Sequence, residues 1–143
     1  MKEAQLTAAG IVMDVMEGNN LNKVFQKYSK ENKINPKDIS QIKDLVFGTL
    51  RSYGKTKFVI NKLVKRTPSN PLILTLLHIA LFQLISKRSN SYTVVDQAVS
   101  ASNMINKIHT KFVNGVLRSF LREKAGILDK AEKIDEAKYS YPI

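Results

Sequence analysis

The chain has no cysteine. That excludes disulfides, thiolate metal sites and a cysteine nucleophile, and it fits a reducing cytoplasm. Acid is scarce: 12 Asp and Glu stand against 23 Lys and Arg, for a formal net charge of +11. A domain this basic commonly meets a polyanion, nucleic acid above all, although a lysine-rich proteome produces the same excess. No long apolar run exists. The longest, Leu72 to Ile85, is broken by Thr75, His78 and Gln83, and is too short and polar to span a bilayer. The start, Met1–Lys2–Glu3, leads into no apolar segment of the signal-peptide kind. The 6 glycines are scattered, with no GxGxxG and no strand to precede one. His78 and His109 each lack a second ligand at helical spacing, so no metal site is expected.

What is present is helical periodicity. Apolar residues recur at spacings of three and four, and strict alternation is rare. With 143 residues the chain can build one real core. The pattern predicts an all-α fold of about seven helices. The first runs from Glu3 to Glu17, with Leu6, Ala9, Val12, Met13 and Met16 inward, and stops at Gly18–Asn19–Asn20. The second buries Leu21, Val24, Phe25 and Tyr28. Pro36 breaks the chain before a third, Lys37 to Ser52, which buries Ile39, Ile42, Leu45, Val46 and Leu50. Gly54 ends or bends that helix. A fourth carries Phe58, Ile60, Leu63 and Val64.

Asn70 and Pro71 open the fifth helix, apolar on most sides and so central. Ser91 is a candidate cap for the sixth, with Val94, Val95, Ala98, Val99 and Met104 or Ile105 inward. The seventh spans about Ile108 to Ala125. Residues 1–126 then form the helical domain. Residues 127–143, which end after Tyr141–Pro142–Ile143, read as the start of a linker toward a further domain.

The seventh helix carries the charge pattern of interest. Phe112, Val113, Val116, Leu117, Phe120 and Leu121 form one apolar face. Lys111, Arg118 and Arg122 fall within about 40° of one another on the opposite side. Gly115 lies on the same stripe, at a cost of about 1 kcal/mol against Ala. Close approach of a neighbouring helix or of a phosphate backbone would explain it. A second basic cluster, Arg51, Lys55 and Lys57, follows the third helix. A solvated basic face is the plain alternative to a binding ridge.

Five segments resemble a known family. They are "LVFGTLRSYG" at 45–54, "LLHIALFQLI" at 76–85, "YTVVDQAVSAS" at 92–102, "KFVNGVLRSFLRE" at 111–123 and the closing "YSYP" at 139–142. Together they resemble the NusB-like all-α domain, in the form that begins ribosomal RNA cytosine-5 methyltransferases of the RsmB (Sun, Fmu) type. The resemblance implies a domain that contacts structured ribosomal RNA, with the methyltransferase domain attached in cis. S-adenosylmethionine would bind in that other domain, and no cofactor is expected in this chain. Members carry arginines near the start of the first helix. Here only Lys2 stands there, against Glu3, Asp14 and Glu17, so that face is not the expected RNA surface. An arginine frequent in the fifth helix is His78 here.

The candidate RNA-binding residues are therefore Lys111, Arg118 and Arg122, with Arg51 and Lys55 in second place. The two arginines Arg51 and Arg118 could equally face carboxylates of the neighbouring domain. Structural roles are expected for four others. Gly48 allows close helix packing, His78 is a satisfied buried histidine, Asn114 bonds a neighbouring helix end (an RNA contact being its functional alternative), and Gly115 permits close approach. Thr49 is expected to bond its own helix, and Asp96 and Gln97 to cap or bridge helices. Tyr53, Tyr139 and Tyr141 could stack on bases; the structural alternative is a half-buried anchor for Tyr53 and packing toward the next domain for Tyr139 and Tyr141. Cytosine-5 methylation needs a thiolate, so the chain alone is not expected to catalyse it. Two other functions fit the same pattern: a free-standing antitermination factor that binds nascent RNA with a ribosomal protein, and a basic protein-interaction module.

Overall fold

The longest apolar run becomes the axis of the molecule. The computed structural model describes residues 2–31, 34–87 and 89–132. Among them are seven α-helices, two short 3₁₀ turns and no strand. The helices are α1 (Lys2–Met16), α2 (Leu21–Lys30), α3 (Ile39–Arg51), α4 (Tyr53–Leu63), α5 (Pro71–Ser86), α6 (Ser91–Ile105) and α7 (Thr110–Glu132). The 3₁₀ turns, Pro36–Asp38 and Lys107–His109, lead into α3 and α7.

Helix α5 starts where its sequence says it should. The Asn70 side chain accepts from the amides of Leu72 and Ile73 at 2.9 and 3.1 Å, and Pro71 occupies the first turn. Both groups satisfy what an N-terminus otherwise leaves open. The helix then divides the core in two. Leu76, Ile79 and Phe82 face α1, α2 and α3, where they meet Ile11, Val12, Ile42, Val46 and Leu50. Ile73, Leu77, Ala80, Leu81 and Leu84 face α4, α6 and α7, against Ile60, Val94, Val113, Leu117 and Phe120. A helix buried on both sides has no room for a polar face. Its polar residues must find partners: Gln83 accepts from Gln5 of α1 at 2.8 Å, both side chains being buried.

The structure corrects several expectations. Met16 and Ile39 are 37% and 38% exposed, because each stands at a helix end, past its neighbours. Phe112 is likewise 38% exposed and Met104 53%, while Ile105 packs into both halves of the core. Gly54 does not end α3. It sits in the first turn of α4, and the junction is Ser52, whose hydroxyl donates to the Gly48 carbonyl at 2.7 Å. The cap of α6 is Asn90, not Ser91; its side chain accepts from the Thr93 amide. Helix α7 runs on past Ala125 to Glu132, with Ile127 and Ala131 buried, so position 126 lies inside it. Residues 133–143, with Tyr139 and Tyr141, lie outside the described residues.

Candidate nucleic-acid interface

Helix α7 is oriented by its apolar face. Val113, Leu117 and Phe120 are fully buried against α4, α5 and α6, so the opposite stripe points to solvent. The 3₁₀ turn that leads into it is fixed by the Asn106 side chain, which accepts from the Ile108 amide at 3.1 Å, and is tied to the start of α7 by the Thr110 hydroxyl, which donates to the Lys107 carbonyl at 3.0 Å. Lys111, Arg118 and Arg122 all lie exposed on that stripe.

Two of these cations are held in place without being neutralised. Arg118 Nε donates to Asn114 Oδ1, and Arg122 Nη2 donates to Ser119 Oγ, each at 3.0 Å. Among the described residues, no carboxylate pairs with Lys111, Arg118 or Arg122. A guanidinium held by a neutral amide or hydroxyl keeps its charge and its remaining N–H groups for a ligand. Asn114 therefore serves Arg118 on its own helix and not a neighbouring helix end, as the sequence suggested. Ser119 was not singled out, since its spacing of three from Arg122 was the only cue.

Gly115 sits between these cations, exposed, and a Cβ built there meets nothing within 4 Å. Among the described residues no neighbouring helix explains it. Gly115→Ala should therefore raise stability by about 0.5–1 kcal/mol, measured by urea denaturation. If it also weakens RNA binding, the bare backbone is used by the ligand.

The other candidates separate into a second basic position and a structural group. Arg51 is exposed in the last turn of α3, and Lys55 is half-buried and already has a partner. Neither lines the groove beside α7 described below. Gly48 faces the ring of Phe82, which fills the space a Cβ would take. His78 is 1% exposed, its Nδ1 meets the Thr56 hydroxyl, and its ring stacks on Tyr53 with centroids 3.9 Å apart and 13° between planes. Three further expectations fail. Thr49 Oγ1 is buried with no partner, Gln97 Oε1 is the same, and Asp96 is exposed without one among the described residues.

Burial, and then the nearby Lys57 charge, hold His78 far below its ordinary value of 6.5, at about 3. The folded state thus takes up its proton later than the unfolded chain does. Its stabilising effect is complete above about pH 6.5 and is lost as pH falls from there toward 3. We expect the unfolding free energy from urea curves to decline below pH 6.5 by at most about 1.4 kcal/mol per pH unit from this group. His78→Gln should flatten that slope in a pH series of denaturation curves.

Between α6 and α7 lies a groove of about 550 Å³. From α6 it takes Tyr92, Val95, Asp96 and Val99; from α7 it takes Lys111, Asn114, Arg118 and Leu121. The basic ridge is thus one wall of a concave surface, a feature absent from any single helix wheel. Among the described residues, no group of three His, Asp or Glu could hold a metal ion, and no helix is long and apolar enough to cross a membrane.

Comparison with known proteins agrees with this architecture. Residues 2–122 match the NusB family. The chain is 33% identical over 112 residues to a Coxiella burnetii protein named "Probable ribosomal RNA small subunit methyltransferase B", covering 76% of this chain and 26% of that protein. It is 28% identical over 130 residues to ribosomal RNA small subunit methyltransferase B of Pasteurella multocida, covering 88% of this chain and 29% of the relative. The Cronobacter sakazakii protein of that name is 29% identical over 141 residues, 96% of this chain and 32% of the relative. The chain spans about a third or less of these relatives, and matches their N-terminal part. With an all-helical architecture and a match over nearly all of its described length, the chain belongs to the NusB family.

Proposed function

We propose that this chain is the RNA-binding and docking domain of a ribosomal RNA cytosine-5 methyltransferase, and has no catalytic role of its own. The observation that carries the reading is the ridge of Lys111, Arg118 and Arg122, exposed and unpaired with carboxylates among the described residues. Its ligand is ribosomal RNA, held through phosphates; such contacts position a substrate without reading its sequence. Arg51 is a second contact. The names of the three relatives described above favour this reading over antitermination, because each carries the name of a ribosomal RNA small subunit methyltransferase B, the Coxiella burnetii protein as a probable one.

Catalysis belongs to the domain that would follow. Attack on a cytosine ring needs a thiolate, and this chain has no cysteine. S-adenosylmethionine would bind in that domain. The task left to the helical domain is to fix the RNA relative to the catalytic centre in the cytoplasm. The deciding experiment is titration of a labelled ribosomal RNA fragment with the chain across a range of salt, beside a charge-reversed ridge variant. Binding that ignores both salt and charge reversal would defeat the proposal.

A further inference from the structure

The groove between α6 and α7 has a chemistry that the ridge alone does not need. Its floor is apolar: Val95 is buried, and Val99 and Leu121 are half-buried. At its mouth stands Tyr92, 73% exposed, one of the largest unburied aromatic surfaces in the described chain. One wall carries the Asp96 carboxylate, and the other carries Asn114 and the Arg118 guanidinium. Tyr92, Val95, Asp96 and Val99 recur at helical spacing, so they share one face of α6. Asn114, Arg118 and Leu121 do the same on α7.

Charges within the groove do not cancel. Asp96 makes no ion pair with Lys111 or Arg118, and has no partner among the described residues. Asn114 commits its Oδ1 to Arg118, which leaves its amide N–H groups to donate. An acceptor-only carboxylate, a donor amide, an exposed aromatic ring and a cation around an apolar floor suit a flat heterocycle with an attached phosphate. Unstacked bases in single-stranded RNA are bound in this way, by stacking on aromatics and hydrogen bonding of their edges. A volume of about 550 Å³ admits a nucleotide.

We infer that this groove is a binding site for one unstacked nucleotide of single-stranded RNA whose base carries an exocyclic amino group. Tyr92 stacks on the base, and Asp96 accepts from the amine. Asn114 donates to a ring nitrogen or carbonyl, and Arg118 holds the adjoining phosphate. Uracil offers a carbonyl where cytosine offers an amine, so Asp96 selects against it. The inference rests on the ridge reading above for its phosphate contacts, and adds base selectivity to it.

The test uses fluorescent oligocytidine and oligouridine of equal length with the chain and three variants. Tyr92 and Asp96 are exposed, so Tyr92→Ala and Asp96→Ala should keep the helical circular dichroism of the parent. The chain is expected to bind oligocytidine about tenfold more tightly than oligouridine. Tyr92→Ala should weaken both about 5- to 100-fold. Asp96→Ala should lower oligocytidine affinity and leave oligouridine equal or tighter, since it removes a carboxylate near phosphate. Equal binding of the two oligomers by the parent overturns the inference, as does a ratio unmoved by Asp96→Ala. RNA affinity untouched by Tyr92→Ala also overturns it, and leaves the groove to a protein partner. Arg118→Glu with Arg122→Glu separates the readings: if only that variant loses RNA, the ridge stands and the nucleotide site falls. If the parent binds neither oligomer nor ribosomal RNA, both fall.

Discussion

Reversing Arg118 and Arg122 together to glutamate should weaken ribosomal RNA binding at least tenfold while the helical fold survives. Both side chains are exposed in the middle of α7, far from either end of the helix, so neither macrodipole nor core is disturbed. The bonds they lose, to Asn114 and Ser119, are exposed and contribute little to stability. The change in charge is large by comparison, since two phosphate partners become two repulsive sites. Salt gives an independent reading. If Lys111, Arg118 and Arg122 each neutralise one single-strand phosphate, log affinity should fall against log salt with a slope of about −2. The variant should flatten that slope toward the share of Lys111. Unchanged affinity, with the circular dichroism intact, would mean that the ridge is only a solvated face.

The second large effect is expected far from that surface. Gly48 lies in α3 where the ring of Phe82 crosses from α5, and an added Cβ would fall inside the van der Waals envelope of Cζ, Cε1 and Cε2. Phe82 is buried, 8% exposed, and cannot swing clear without opening the contact between α3 and α5. Helix propensity favours Ala over Gly by about 1 kcal/mol, so an unobstructed site would gain from the change. Overpacking reverses the sign. Gly48→Ala should destabilise by about 1–3 kcal/mol, and Gly48→Leu by more. The companion change Phe82→Leu in the Gly48→Ala background should recover part of the loss. Denaturant midpoints of the three variants decide the matter; a neutral Gly48→Ala would show that the ring has room to shift. Gly115 makes the internal control, as a helical glycine with nothing within 4 Å. There the same substitution is expected to stabilise.

The contrast between these glycines shows what a sequence can reveal. On a helical wheel both cost the same propensity and both invite the same explanation, close approach. Only the placement of α5 against α3 gives Gly48 its reason, and only the emptiness beside α7 denies Gly115 an internal one. Ile39 and Met16 failed for a related cause. Periodicity reports which face of a helix is apolar, but not where along its length the neighbouring helix stops. Gln5 was passed over because a lone polar residue on a helix reads as solvated, whereas here it is fully buried beside Gln83.

By itself the sequence determined the helical class, the order of the elements, the central position of α5 and the cationic stripe of α7. Each of these follows from short-range spacing, because residues three and four apart share a helix face whatever surrounds them. Tertiary structure alone decided that the stripe borders a groove, that Tyr92 and Asp96 stand across from Arg118, and that Asn114 holds the guanidinium in place. Those facts depend on how two helices lie against each other, and that is set by the fit of their buried side chains. No spacing along one strand of sequence encodes it.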